Sequence, residues 1–400
     1  MGHEGFPIAI LPPVLRLVAT CGLGLEEILA GELRQLLSSP LHLDRGAVRF
    51  EGSWEDCWRA NWRLRTANRV LIELASWAAP DDEALHRGIY NFLLGKKVRR
   101  GELSIPDLPG LLRPERTFSI QASCSASTVT DSRWAALKLK DGICDAQRIL
   151  FGERSAIDKE SPSLPLRLRL HRERATLLLD SSGESLDRRG YRRVTGDAPA
   201  RENLAAACVL AVDRWNGRGP IADPMCGTGT LLVEAAFLSK GRAPAWLRKE
   251  WAFQAFPSFD ADAWRAIRRE FPPSPDPDVQ IFGNDIKPEA IRAANVNLSV
   301  AKLEEQAFLR RGPLRQWQPP AQRGLLLMNP PYGRRIEGEA RLWQDIGELL
   351  TGRCRAWPTV ILGGPEGRWR SMRIEPYRVY PVRNGPLDAE IVVFGPRSAR

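Results

Sequence analysis

Between residues 200 and 395 short apolar runs alternate with helical stretches, and most of those runs stop on glycine, proline or a lone polar side chain. The runs are "GPIAD", "VQIFGND", "GLLLM" and "PTVILGG". Between them stand "RENLAAACVLAVDRW", "LLVEAAFLSKG" with Gly241 as a C-cap candidate, "KPEAIRAANVNLSVAKL" and "RLWQDIGELLTGRC". "YRVYPVRNGPLDAEIVVFG" closes the chain as a hairpin. Strands that alternate with helices predict an α/β fold with a parallel, doubly wound sheet. Ligands on such sheets sit beyond the carboxyl ends of the strands, at the switch point of the strand order. The unusual residues of this chain fall at those ends.

The first strand end is "ADPMCGTGT", Ala222 to Thr230. Gly227 and Gly229 allow a tight turn and a close backbone approach to a ligand, and a helix N-terminus with free N–H groups follows. The turn lacks the Gly-Lys-Ser/Thr of a P-loop, and Leu232 stands where a full Gly-x-Gly-x-x-Gly needs its last glycine. The acid Asp223 beside the turn disfavours a phosphate and suits a ligand with a cationic group. The bland alternative is a tight strand-to-helix connection. The second end is "IFGNDIKPEAI", where Asp285 can hold ribose hydroxyls or cap the helix that follows, and Ile286 can pack on a flat ring. Asp285 comes 62 positions after Asp223 (285 − 223), far more than the usual spacing of about 20. A Trp/Phe/Pro-rich insertion over 242–277 accounts for the excess. The third end is "GLLLMNPPYG". Asn329 offers an acceptor and a donor, Pro330 and Pro331 end the strand without donating, and Tyr332 offers a ring. This acceptor-rich pocket suits a planar group with an exocyclic amine.

Residues 15–180 read as a separate α+β region. "LRLVATC", "AVRFEG", "RVLIELAS" and "TFSIQASCS" are strands, and "LPLRLRLHRERATLLLD" alternates as a hairpin. "GLEEILAGELRQLL", the stretch capped by Ser53, and "DDEALHRGIYNFLLG" are helices. No catalytic constellation is visible there. The 43% apolar and 26% charged residues are ordinary for a globular chain, and no apolar run reaches the roughly 18 residues of a membrane span. The start of the chain lacks a secretory pattern, which predicts a cytoplasmic protein. Seven scattered cysteines and four isolated histidines form no C-x-x-C pair, ligand cluster or triad pattern, so no metal is expected. The net charge of +10 suits a polyanionic partner, although an Arg-rich composition explains it equally well.

The motif "DPMCGTGT" followed by "NPPYG" resembles class I S-adenosylmethionine-dependent amino-methyltransferases acting on RNA. "SSGESLDRRGYRR", "APARENLAAA", "WAFQAFPSFD" and "GNDIKPEAI" are similar to the THUMP-containing RNA guanine-N2 methyltransferases, above all the bacterial 23S rRNA enzymes. "ATCGLGLEEILAGELRQL", "AVRFEG" and "WRANWRLRTANRVLIEL" resemble that family's ferredoxin-like and THUMP regions, so the likeness runs from about 17 to 395. It implies a ferredoxin-like part over 1–60, a THUMP domain over 61–180 and a Rossmann-like methyltransferase domain over 181–400.

The resemblance also implies roles. Asp223, Pro224, Cys226, Gly227 and Gly229 would hold the methionine end of S-adenosylmethionine, and Asp285 the ribose with Ile286 beside the adenine. Glu202 and Asn203 would line the same pocket, and Asn329, Pro330, Pro331 and Tyr332 would hold a guanine. RNA-contact candidates are Lys96, Lys97, Arg99 and Arg100, then Arg334 and Arg335, and also Arg63, Arg65 and Arg69. The enzyme is expected to act as a monomer. The chain departs from the family in having no carboxylate between Ala307 and Trp317, where an acid usually meets the adenine amine. A tRNA guanine-N2 methyltransferase, a DNA adenine or protein glutamine methyltransferase and an inactive RNA-binding module remain as alternatives.

Overall fold

A computed structural model of the chain describes residues 12–196, 200–270, 276–331 and 339–396. Two sheets organise it. The N-terminal sheet contains β1 (Leu15–Cys21), β2 (His42–Asp44), β3 (Ala47–Gly52), β4 (Ala67–Ala78), β5 (Glu102–Leu103), β6 (Phe118–Ser125), β7 (Leu164–His171) and β8 (Arg174–Asp180). Their order is β2-β3-β1-β4-β8-β7-β6, with β5 on the side of β4. All neighbours are antiparallel except β6 and β7, which run parallel because α5 (Ser132–Phe151) crosses between them. The remaining helices of this half are α1 (Glu26–Leu36), α2 (Trp54–Arg63), α3 (Asp82–Leu93) and α4 (Leu108–Leu111).

Local sequence accounts for several of these elements. Ser53 caps α2 in a reciprocal box: its hydroxyl accepts from the Asp56 N–H, and the Asp56 carboxylate accepts from the Ser53 N–H. In β7 the leucines 164, 166, 168 and 170 are buried and the residues between them are not, as alternation requires. The long strand β4 pairs with β1 through one half and with β8 through the other, so one sheet runs through the ferredoxin-like and THUMP regions. A division at 60/61 falls inside α2.

The second half contains β9 (Ile221–Asp223), β10 (Ile281–Asp285), β11 (Ala307–Arg311), β12 (Leu325–Met328), β13 (Thr359–Gly363), β14 (Arg378–Asn384) and β15 (Leu387–Phe394). Its helices are α6 (Glu202–Leu210), α7 (Thr230–Ser239), α8 (Ala261–Arg269), α9 (Pro288–Val300) and α10 (Glu339–Thr351). The strand order is β11-β10-β9-β12-β13-β15-β14. β9 to β13 are parallel, and β15 joins β13 antiparallel and carries β14 as its hairpin partner. The doubly wound sheet with a terminal hairpin is therefore present. Connections from β9 run outward to β10 and β11 and then return to β12, so the order reverses between β9 and β12.

The Trp/Phe-rich stretch between α7 and β10 is the seam of the two halves. Trp58 of α2 lies 5.9 Å from Phe253 and 5.7 Å from Phe259, and Trp62 lies 5.9 Å from Trp251 and 5.8 Å from Trp264. Outside the rings, Arg59 forms a two-pronged pair with Glu270 at 2.7 and 3.0 Å. Each ring buries about 150–250 Å², roughly 4–6 kcal/mol of apolar transfer before entropy is charged against it.

Candidate active site at three strand ends

β9 is the central strand, and register locates the other two ends around it. Gly283 of β10 lies opposite Asp223, and Leu326 of β12 lies opposite Ala222. Asp285 and Asn329 therefore each stand two residues beyond the level of Asp223, on the two strands that flank it, about 10 Å apart across two strand spacings.

The turn after β9 is fixed through its backbone. The Asp223 Oδ1 accepts from the Met225 N–H at 2.9 Å, the Cys226 N–H donates to the Asn284 carbonyl at 2.8 Å, and the Gly229 N–H donates to the Cys226 carbonyl at 2.8 Å. Gly229 has φ of 82° and opens α7, while Gly227 has φ of 51° and nothing within 4 Å of the place a Cβ would take. Gly227 is thus required by its backbone angle, and the space above it is open. Asp285 spans two elements: its Oδ2 accepts from the Gly227 N–H and its Oδ1 from the Lys287 N–H at the start of α9, both at 2.9 Å. Ile286 beside it is 64% exposed, high for an aliphatic residue next to a carboxylate.

Asp223, Pro224 and Cys226 are enclosed. Burial holds the Asp223 carboxyl well above the ordinary carboxylate range; the Met225 N–H opposes this, and the Asp285 charge adds to it. Burial likewise raises the Cys226 thiol far above its usual value, which argues against a thiolate role.

At the end of β12, Pro330 is buried, Pro331 is exposed and Asn329 lies between these extremes. The Asn329 Oδ1 is buried and has no hydrogen-bond partner among the described residues. A buried amide oxygen without a partner costs about 1–3 kcal/mol, so this acceptor suits a donor that the described residues do not provide. Tyr332, Arg334 and Arg335 lie outside the described residues.

Glu202 and Asn203 meet different surroundings. The Glu202 Oε1 accepts from the Arg192 Nε at 3.0 Å, and burial raises its carboxyl pKa against that partner. The Asn203 Nδ2 donates to the Asn68 Oδ1 at 2.7 Å and faces the Thr66 carbonyl at 3.4 Å. Its amide is committed to β4 and to the strand's approach, at the joint between the halves, and not to the glycine turn. The reason is local: α6 packs its N-terminus against that approach.

Among the N-terminal basic residues, Lys96, Lys97, Arg99 and Arg100 are exposed. Three others are internal fasteners rather than a free cationic surface. Arg63 reaches the Glu270 carbonyl, Arg65 donates to the Arg242 carbonyl at 2.6 Å, and Arg69 pairs with Asp180 at 2.6 Å. Burial lowers the Arg65 pKa to about 10, the mark of a guanidinium withdrawn from water.

Two asparagines given no role by the sequence reading hold the site together. The Asn284 Nδ2 donates to the Pro224 carbonyl at 3.0 Å and to the Gly312 carbonyl at 2.9 Å, so it ties the ends of β9, β10 and β11. Asn297 on α9 accepts from the Arg193 and Val194 N–H groups and donates to the Val194 and Thr228 carbonyls. All four of its hydrogen-bonding positions are used. The available signal was a polar residue at a helix position that period 3.6 turns inward. No carboxylate stands between Ala307 and Trp317, and the Gly312 N–H at the end of β11 is bound to the Asp285 carbonyl at 3.0 Å.

An open turn, an exposed apolar residue beside an anchored acid, and an unpartnered acceptor form one edge that fits a nucleoside carrying a cationic amino-acid tail. Comparison with known proteins gives the class. Residues 189–391 match the family described as RMKL-like, methyltransferase domain; residues 16–71 match the RlmL ferredoxin-like domain and residues 109–180 the THUMP domain. The chain belongs to the RMKL-like methyltransferase family; it is a methyltransferase, and S-adenosylmethionine is its methyl donor.

It is 32% identical over 381 residues to the Synechocystis protein named "Putative RNA methyltransferase slr0064", covering 94% of this chain and 95% of that one. It is 33% identical over 393 residues to the ribosomal RNA large subunit methyltransferase K/L of Ectopseudomonas mendocina, covering 94% of this chain but 52% of that one. The chain thus spans about half the length of the K/L relatives. Among solved structures, SMU.472 complexed with SAH superposes with a TM-score of 0.84 at 25% identity, over 97% of this chain and 100% of that one. TrmN from Thermus thermophilus shares the fold, with a TM-score of 0.66 at 18% identity over 96% of this chain and 100% of that one.

Proposed function

We propose that the protein methylates the exocyclic N2 amine of a guanine in RNA, and that the RNA is 23S rRNA. The observation that carries the reaction is the unpartnered Asn329 Oδ1 beside Pro330, two residues beyond Asp223 on the neighbouring strand. The RNA assignment is supported by the THUMP match and by the names of the relatives. The chain covers about half of the K/L proteins and matches the ferredoxin-like domain of the L member, which supports reading it as the counterpart of that half.

S-adenosylmethionine would supply a methyl carbon already activated by the attached sulfonium, which leaves as a neutral thioether. Asp223 and the turn at Pro224, Cys226, Gly227 and Gly229 would hold its amino-acid end, and Asp285 with Ile286 its ribose and adenine. Glu202 would act on this pocket through Arg192. Asn329 Oδ1 accepts one hydrogen of the guanine amine and the Pro330 carbonyl accepts the other, which directs the nitrogen lone pair away from the ring. Pro331 and Tyr332 would complete the base site, with Arg334 and Arg335 beside it. The amine nitrogen would bond to the methyl carbon as the carbon–sulfur bond breaks, with the surplus proton passing to water. Because the methyl is carried on a sulfonium whose thioether departs neutral, neither a strong base nor a metal is needed, and positioning supplies the acceleration. Lys96, Lys97, Arg99 and Arg100 would grip RNA phosphates. In this reading the enzyme works in the cytoplasm as a monomer.

Deleting the gene and digesting rRNA and tRNA separately tests the assignment. Loss of N2-methylguanosine from 23S rRNA is expected. Loss from tRNA alone would move the substrate to tRNA, and no loss from either would refute the reaction.

A further inference from the structure

A cleft of about 440 Å³ lies in the seam between the turn after β1 and the terminal hairpin. Leu23 and Arg45 line it from the N-terminal half; Pro365, Pro381, Val382 and Glu390 line it from the other. Its floor is a close backbone crossing: a Cβ on Gly24, whose φ is +87°, would stand 1.9 Å from the Pro381 carbonyl oxygen, and the Arg383 N–H donates to the Leu23 carbonyl at 3.2 Å.

Register sets its distance from the methyl-transfer edge. Met328 lies opposite Ile361, Ile361 opposite Val392, and Gly363 opposite Glu390. Advancing two residues from Met328 reaches Pro330, and the same advance along β13 reaches Gly363, whose neighbour is Glu390. The near wall of the cleft, at Glu390, thus stands two strand spacings, about 10 Å, from the base-accepting site and on the same edge of the sheet, and Pro381 opposite it one spacing further.

We infer that this cleft is a subsite for a nucleotide flanking the target guanine, an assignment that rests on the proposed RNA methylation. The chemistry inside divides as a nucleotide requires. Pro365 and Pro381 are exposed apolar faces on which a base can rest. The lining carboxylates are already engaged: Glu390 accepts from the Trp369 Nε1 at 2.7 Å, the exposed Asp388 from the Arg383 Nε at 2.9 Å, and Glu26 from the Gly24 and Gly46 N–H groups at 2.8 and 2.7 Å. A phosphate is therefore repelled from the floor. Arg45, on the turn between β2 and β3, is exposed and makes no hydrogen bond or ion pair among the described residues, so a phosphate is accepted at the rim. A strand whose target base enters at Asn329 places its neighbour here, and both halves of the protein touch it.

The test measures methylation of a 23S rRNA fragment by the full chain as wild type, Arg45→Glu and Pro365→Trp, with S-adenosylmethionine affinity by calorimetry and thermal stability alongside. The expected result is an RNA KM raised about tenfold in each variant with cofactor affinity unchanged. For Arg45→Glu the slope of log binding against log salt should also fall by about 1. RNA KM within twofold of wild type in both variants would overturn the subsite. If Pro365→Trp lowers the melting temperature, Arg45→Glu decides alone. Absence of guanine methylation by the wild-type protein would refute the underlying activity instead.

Discussion

Replacing Asn329 by alanine separates the catalytic role proposed for it from a purely structural one, because the two predict opposite signs. The Asn329 Oδ1 is buried and has no partner among the described residues. Removing it relieves an unsatisfied acceptor, whose cost is about 1–3 kcal/mol, against the loss of a short, half-buried side chain. The variant should therefore melt at the same temperature as wild type or a degree or two higher. In the proposed function the same atom aligns the guanine amine. Removing one preorganised polar contact to the reacting group costs about 3–4 kcal/mol, a fall of about 10²–10³ in kcat. Single-turnover methyl transfer to 23S rRNA, calorimetric S-adenosylmethionine binding and differential scanning calorimetry give the three readouts. The expectation is lost turnover, cofactor affinity within threefold and no loss of stability. Turnover within a few-fold of wild type would refute the assignment, and a large loss of cofactor affinity would move Asn329 into the donor site.

Asp285→Ala removes the carboxylate that joins the Gly227 and Lys287 N–H groups, so S-adenosylmethionine Kd should rise at least tenfold by calorimetry, with a smaller rise for Asp285→Asn. Asp223 is held protonated by burial to a pH above the ordinary carboxylate range, so its contribution to stability is present at low pH and is lost as pH rises through the raised value. A cationic amino group that binds its ionised form must release a proton. Affinity should therefore weaken as pH falls, and calorimetry in buffers of different ionisation enthalpy should detect that release; Asp223→Asn should abolish it. Trp264→Ala, which leaves a hole facing Trp62, Trp251 and Phe253, should cost about 3–5 kcal/mol in denaturant unfolding. Reversing Lys96, Lys97, Arg99 and Arg100 should lower the RNA salt slope by up to about 4 in filter binding, without changing cofactor affinity.

The parallel sheet was legible because each of its inner strands is a continuous apolar run, as burial on both faces demands, and because Asp223, Asp285 and Asn329 interrupt those runs at their ends. β11 was legible only through the family's strand order. It lies at the sheet edge with Phe308, Arg310 and Arg311 exposed, so its pattern carries little burial signal. β2 and β5, of three and two residues, are too short for any period to register. The insertion over 242–277 was visible as composition but not as purpose. Its aromatic residues bury against α2, nearly 200 positions earlier, and no local pattern encodes a partner that distant. Arg65 and Arg69 misled for a related reason: an arginine in a sequence looks solvated until the carbonyl or carboxylate that receives it is known.

That same distant packing bears on how a substrate could be chosen. Among the fastenings that join the halves in the described residues, three bear on the donor side. The ring cluster between α2 and the insertion is the first, and the Asn203–Asn68 hydrogen bond beside Asp180's clasp of Arg69 and Arg167 is the second. The third is buried: Arg189 pairs with Glu234 at 3.3 Å, Tyr191 donates to the same carboxylate oxygen at 2.9 Å, and Arg189 also donates to the Arg65 carbonyl. Glu234 lies one turn into α7, the helix that begins at the glycine turn. Removing one partner of such a buried pair costs about 3–5 kcal/mol, because the other charge is left uncompensated. The strand approach that carries Arg65 is thus tied directly to the helix that frames the donor site, with no flexible linker at that joint. Under the proposed function, a base would reach Asn329 only when the rest of its RNA meets the N-terminal sheet at a fixed distance and angle. In that reading, selection by shape over such a span would let an edge able to accept any amine-bearing base serve one nucleotide. It also predicts that Glu234→Gln, which discharges the pair while keeping its hydrogen-bonding shape, should loosen the choice of RNA more than the binding of S-adenosylmethionine, as read from methylation of matched and mismatched RNA fragments. Equal loss on all RNAs would show that the pair serves stability alone.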